Sequence, residues 1–191
     1  ACPAWWRGWH AFGFVPFAIT LMLMFLPDTN GDAYVYHLAA AERLLRAHRF
    51  TAEGTSVVLQ YPLTAEFVFA LVIGRDALSH FMQFLPFAAA LAVLAGWCES
   101  KGSRGAGLLA AGGVLSFGLV GQMMIVSKND LAAAAYPVAG AVCMLRWFRG
   151  GQSGWLAASA ALFGCGAAVK YNCLLLMALA FTGLLAAPQP N

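Results

Sequence analysis

Six side chains in this sequence have types and positions suited to chemistry at one face of the molecule: Asp32, Tyr36, His37, Glu66, Asp130 and Lys170. Each stands beside or between long uncharged runs, where an ionisable group is costly to keep and tends to be functional. Asp32 follows the turn residues Asn30-Gly31 and sits at the N-cap of an amphipathic stretch that runs to about His48. Helical spacing puts Asp32 and Tyr36 on one face of its first turn. Glu66 follows a second turn at Tyr61-Pro62. Asp130, with Lys128 and Asn129, precedes the short uncharged run Leu131–Leu145, about 22 Å long as a helix and so shorter than the roughly 30 Å of hydrocarbon. That shortfall is expected to draw the three residues to the membrane boundary and turn them into the bundle. Lys170-Tyr171-Asn172 interrupts another long apolar stretch. Gathered on one side, these groups form a carboxylate-lined mouth with a cation nearby, suited to a polar, phosphate-bearing substrate at the lipid surface. Plainer roles fit the same residues: a helix cap for Asp32, a solvated interfacial charge for Glu66, a snorkelling lysine in a tight turn for Lys170.

The elements that must hold them are membrane helices. The chain has 191 residues, 61% hydrophobic and only 10% charged, against about a quarter charged in an average soluble domain. A soluble globule of this size could not bury so much apolar surface. The net charge of +3 is too slight to argue for nucleic acid as a partner. Uncharged runs near the length of a membrane crossing recur at 8–27, 77–97, 105–127, 131–145, 150–169 and 171–191. Lipid cannot satisfy bare backbone groups, so these runs are expected to be helices. The fold class is therefore an all-α integral membrane protein with about six transmembrane helices, plus amphipathic juxtamembrane helices in a first outer loop at 28–76. One transmembrane domain covers 1–191.

Flanking signals agree with that reading. Tryptophans 5, 6, 9, 97, 147 and 155 sit at run ends, where interfacial aromatics belong. An N-terminus in the cytoplasm collects Arg7, Lys101, Arg104, Arg146 and Arg149 there and leaves Lys128 and Lys170 outside. Pro27-Asp28-Thr29 offers no small-x-small cleavage site, so 11–26 reads as a first span and not as a signal peptide. Glycines 112, 113, 118, 121, 164 and 166 and the alanines 132–135 suit close helix packing. The five cysteines form no CxxC pair and read as small packing residues. Asp28-x-Asn30-x-Asp32 lacks the glycine and closing glutamate of a calcium loop. No metal or cofactor is expected, and the histidines (His10, His37, His48, His80) read as hydrogen-bonding residues before they read as pigment or haem ligands.

Three segments resemble the GT-C membrane glycosyltransferases, in the branch of the protein O-mannosyltransferases and the aminoarabinose transferase. They are Gly31-Asp-Ala-Tyr-Val-Tyr-His-Leu38, Tyr61-Pro-Leu-Thr-Ala-Glu-Phe67 and Gly74-Arg-Asp-Ala-Leu-Ser-His80. Ser127-Lys-Asn-Asp-Leu131 resembles that branch's second outer-loop motif, and Val169-Lys-Tyr171 a later basic turn. The resemblance covers about residues 10–185, the N-terminal part of such a module. It implies an enzyme that moves a sugar from a polyprenyl-phosphate donor to an acceptor on the non-cytoplasmic side of a bacterial inner membrane. Asp32 would then be the catalytic general base or a carboxylate that orients the acceptor, flanked by Tyr36 and His37. Glu66 and Asp130 would line the sugar and acceptor pocket, and Lys170 would steady the donor phosphate. The alternative is a shortened, non-catalytic homologue serving as a structural subunit among other membrane proteins, in a bioenergetic or photosynthetic complex for instance.

Overall fold

A computed structural model describes residues 18–28, 30–31, 33–48, 64–72, 76–102 and 105–186. The expectations for Asp32, for the tryptophans before residue 18 and for the Tyr61-Pro62 turn lie outside the described residues. All the regular elements among them are helical. α1 spans 18–23. A π-turn, Ala33–His37, runs directly into α2 (Leu38–Ala47), and α3 is Thr64–Ala70. α4 (Asp76–Lys101), α5 (Ala106–Leu115), α6 (Gly118–Met124), α7 (Asp130–Gly150), α8 (Ser153–Val169) and α9 (Asn172–Ala186) complete the order.

The chain is a membrane-embedded helical protein. α4 and α7 are each long and apolar enough to cross a bilayer, and α5 with α6 makes a third crossing if the bent pair is counted as one. α9 leaves Leu174, Leu175, Leu176, Leu179, Phe181 and Leu185 exposed. An apolar surface that continuous belongs against lipid or another protein.

α7 is the central element and packs against both α4 and α8. Its core with α1, α4 and α6 gathers Met24, Phe84, Phe87, Met124, Leu131 and Ala135. Pro137 inside α7 has no N–H, so the carbonyl of Ala133 loses its helical partner. The Cys173 thiol of α9 donates to that carbonyl at 3.3 Å, which gives this cysteine a structural reason beyond its size. α8 comes close at the same place, since a Cβ on Gly166 would lie 3.1 Å from the Pro137 ring.

Two expectations need correcting. The run 105–127 is not one straight helix: α5 and α6 meet at 73°. The Ser116 hydroxyl donates to the Gly113 carbonyl at 2.7 Å, and Phe117 takes an extended backbone (φ −69°, ψ 117°) that no helix can carry through. The small-residue faces are also only partly used. Ala132, Ala133, Ala135 and Gly166 are packed, whereas Gly112, Gly113, Gly118 and Gly164 have open space where a Cβ would stand. Composition marks where a neighbour can approach, not where one does.

Packing does require a glycine at position 107, where α5 presses on α4. A Cβ there would meet the Ala95 carbonyl oxygen at 2.4 Å and Glu99 Cγ at 2.8 Å. The first obstacle is backbone and cannot swing aside. Gly107→Ala is therefore expected to cost about 1–3 kcal/mol as an overpacking change. Thermal unfolding of the solubilised protein checks this: Gly113→Ala, which meets nothing, should be neutral or better.

Candidate functional site

The helical segment 33–47 is wound more loosely at its start. In the π-turn Ala33–His37 each hydrogen bond skips five residues instead of four, which rotates the following side chains relative to an α-helix. The buried face becomes Ala33, His37, Ala40, Ala41 and Leu44, while Tyr36 is left half-buried. Simple α spacing aims Tyr36 inward. The structure aims His37 inward instead, with the Tyr36 ring 3.8 Å from the imidazole. α2 ends at His48, whose left-handed backbone (φ 51°) closes the helix, and Arg46 pairs with Glu42 one turn earlier on the exposed face.

His37 is fully buried and its Nδ1–H donates to Glu66 Oε1 at 2.5 Å, across 29 residues of sequence. The Phe69 ring stands edge-on to the imidazole. Glu66 enters from the first turn of α3 and is itself 2% exposed. Asn129, just before α7, donates from Nδ2 to the same Glu66 oxygen at 3.4 Å and to the Val169 carbonyl at the end of α8 at 3.5 Å. The next residue along each of these chain segments continues the cluster, because Lys170 Nζ donates to the Asp130 carboxylate in a half-exposed pair. Five of the six candidate residues are thus placed, and they form one contiguous set. His37 joins Glu66 directly, Tyr36 stacks on His37, and the Asp130–Lys170 pair adjoins through Asn129 and Val169. Asp32 falls outside the described residues.

Some particulars differ from expectation. Lys170 is not a free point charge; an anion would have to share it with Asp130. α7 also reaches Gly150, 21 residues and about 31 Å, so it is not too short for the bilayer. Arg146 and Arg149 prolong it, their guanidiniums lying 4.8 Å from the Trp155 ring centre and 5.4 Å from that of Trp97. The polar cluster and this arginine–tryptophan belt stand at opposite ends of the same helix.

A second polar knot lies alongside and was not anticipated. Asp28, in the connection after α1, accepts the Asn30 N–H at 2.8 Å, the Ser127 N–H and the Ser127 hydroxyl. Since Ser127 spends its proton there, the Ser79 hydroxyl is the donor in the 2.6 Å Ser79–Ser127 bond. His80 bridges the Met24 carbonyl, 2.8 Å from Nδ1, and Asp28 Oδ2, 3.4 Å from Nε2. Burial alone would push the Asp28 carboxyl up. The hydrogen bonds from Asn30, Ser127 and His80 together outweigh it and hold the group below the ordinary carboxylate value.

Between α3, α4, α7 and α8 lies a cavity of about 110 Å³, lined among others by Phe69, Met82, Gln83, Asn129 and Tyr136. Gln83 and Asn129 each carry a buried oxygen with no partner, as does Glu66 at Oε2, and the buried His37 ring nitrogen Nε2 is also unpartnered. Gln83 gave one signal in the sequence, a lone amide inside an apolar span. Asn129 gave another, as the middle of Lys128-Asn-Asp130. The chain matches no protein-family model, no curated protein and no solved structure.

Proposed function

We propose that this chain is a GT-C-like glycosyltransferase module that transfers a sugar from a polyprenyl-phosphate donor to an acceptor on the non-cytoplasmic side. One observation carries the reading. Segments with the motif resemblance, which are far apart in sequence, meet in a single hydrogen-bonded cluster: His37 from the segment 31–38, Glu66 from 61–67 and Asn129 from 127–131, with Val169 and Lys170 closing it.

In this reading Asp32 removes the proton of the acceptor hydroxyl as its oxygen attacks the anomeric carbon. The bond from that carbon to the phosphate oxygen breaks, and the lipid phosphate leaves with the electron pair. Lys170, held by Asp130, faces the phosphate side, and Glu66 fixes the ring of His37. The proposal includes a bundle of about six spans with a cytoplasmic N-terminus in a bacterial inner membrane. α8 and α9, about 25 and 22 Å long, then act as short crossings where the bilayer thins or flanking residues snorkel. The arginine–tryptophan belt supports that orientation.

The test is reconstitution of the chain in proteoliposomes with sugar-charged polyprenyl phosphate and a hydroxyl acceptor. Transfer is expected with the native chain and is expected to vanish in Asp32→Asn without unfolding. Full activity in that variant removes Asp32 from the mechanism. A structural-subunit role is the second reading, favoured by an apolar groove of about 350 Å³ on α7, α8 and α9. Stoichiometric partner chains in mild detergent, with no transfer, would establish it instead.

A further inference from the structure

The cavity between α3, α4, α7 and α8 has a one-sided polar chemistry. Gln83 is 1% exposed, and its Nε2 donates to the carbonyls of Met123, at 2.6 Å, and Val126. Asn129 is 6% exposed, and its Nδ2 faces Glu66 Oε1 and the Val169 carbonyl. Neither amide can be flipped, because that would set an oxygen against two acceptors. Both side chains therefore turn a partnerless oxygen away from these bonds, and both line the cavity. Glu66 adds a third unpartnered acceptor behind Asn129. A buried oxygen without a hydrogen is destabilising, so each one favours a ligand that supplies a proton. Among the described side chains of the wall, only the Tyr136 hydroxyl has a proton not already committed.

A hydroxyl ligand brings two lone pairs into a wall that already has too many acceptors. An ammonium brings three donors and no acceptor. The remaining wall suits such a cation: Phe69 and Tyr136 offer aromatic faces, and Met82 and Pro86 offer apolar surface for a short alkyl body. At about 110 Å³ the cavity has room for several water-sized groups. We infer that this cavity is a binding site for a primary ammonium group, held by Gln83 Oε1 and Asn129 Oδ1 with the Glu66 carboxylate as counter-charge. The assignment does not depend on the sugar-transfer reading, and a failed transfer assay leaves it in place.

Calorimetric titration of the full chain in detergent tests it with three probes of similar size. Propylammonium is expected to bind saturably. 1-Propanol, which keeps the shape without the charge, and tetramethylammonium, which keeps the charge without N–H donors, are expected to bind at least tenfold more weakly. Gln83→Met removes one acceptor at nearly constant volume, and Ala132→Leu fills the cavity without touching a polar group. Each should weaken propylammonium at least tenfold. Absence of saturable propylammonium binding, equal binding of either control probe, or native affinity in the folded Ala132→Leu protein overturns the assignment.

Discussion

Glu66→Leu is expected to lower the unfolding free energy by about 3–5 kcal/mol, because it removes one member of a buried hydrogen-bonded pair and strands the others. His37 Nδ1 and Asn129 Nδ2 both point at Glu66 Oε1, and neither has water to turn to. Glu66→Gln should cost only about 1 kcal/mol. Its amide oxygen can occupy the Oε1 position and accept from the same two donors. The contrast between the variants is the informative measurement: equal losses in Gln and Leu would show that hydrogen bonds to a neutral oxygen contribute nothing here and that the carboxylate charge carries the effect. A double-mutant cycle with His37→Phe isolates the pair and should return a coupling of about 1–3 kcal/mol. Glu66→Gln also separates structure from chemistry. It keeps the fold, and under the proposed function it should still impair sugar transfer, since the carboxylate charge beside the mouth is gone.

The helical, membrane-embedded class could be read from the runs of uncharged residues, because lipid permits little else. The ends of those runs were less informative than the charges beside them suggested. Arg146 and Arg149 interrupt the apolar pattern but not α7, whose last turn carries them on Trp155 and Trp97. A charged side chain with an aromatic surface to lie on can belong to a membrane helix, and counting uncharged residues misses that. The opposite error arose at Phe117, where nothing in the apolar pattern marks the 73° bend. A change of backbone direction there is set by one extended residue and leaves no periodic trace.

The candidate site shows the same division. Glu66, Asp130 and Lys170 could be picked out because charge in an apolar context is conspicuous. The partnership of His37 with Glu66 could not, since it depends on a π-turn that shifts the buried face by one residue. Asn129 and Gln83 are neutral amides, and their importance comes from which atoms are left without partners once the helices have assembled. That is a property of packing, and no spacing rule reaches it. Asp28 was the most deceptive. Its neighbours Asn30 and Asp32 suggested a loop motif, whereas its main partners, Ser127 and His80, lie 99 and 52 residues away.

Those distant partners make Asp28 a second position where a single substitution should do as much harm as Glu66→Leu. Asp28→Ala leaves the N–H groups of Asn30 and Ser127, the Ser127 hydroxyl and one nitrogen of His80 without an acceptor. His80 and Ser127 are both fully buried. Loss of one partner from such a set costs about 3–5 kcal/mol, a large part of the total for a domain of ordinary stability. Asp28→Asn should fall in between, because one amide oxygen can still accept while its NH₂ meets N–H groups. The pH dependence follows from the depressed carboxyl. Its folded value lies below the ordinary 3.8, so its contribution to stability is complete above that value and is lost as the pH falls through the folded value. Unfolding curves of native and Asp28→Asn protein, taken in detergent from neutral to acid pH, should therefore stand apart at neutrality and converge only in strong acid. A gap that closes already near neutrality would mean that the carboxylate is not the group being titrated. A gap that never closes would mean that its charge contributes nothing. In either case the link between the connection after α1 and the start of α7 would have to rest on packing alone.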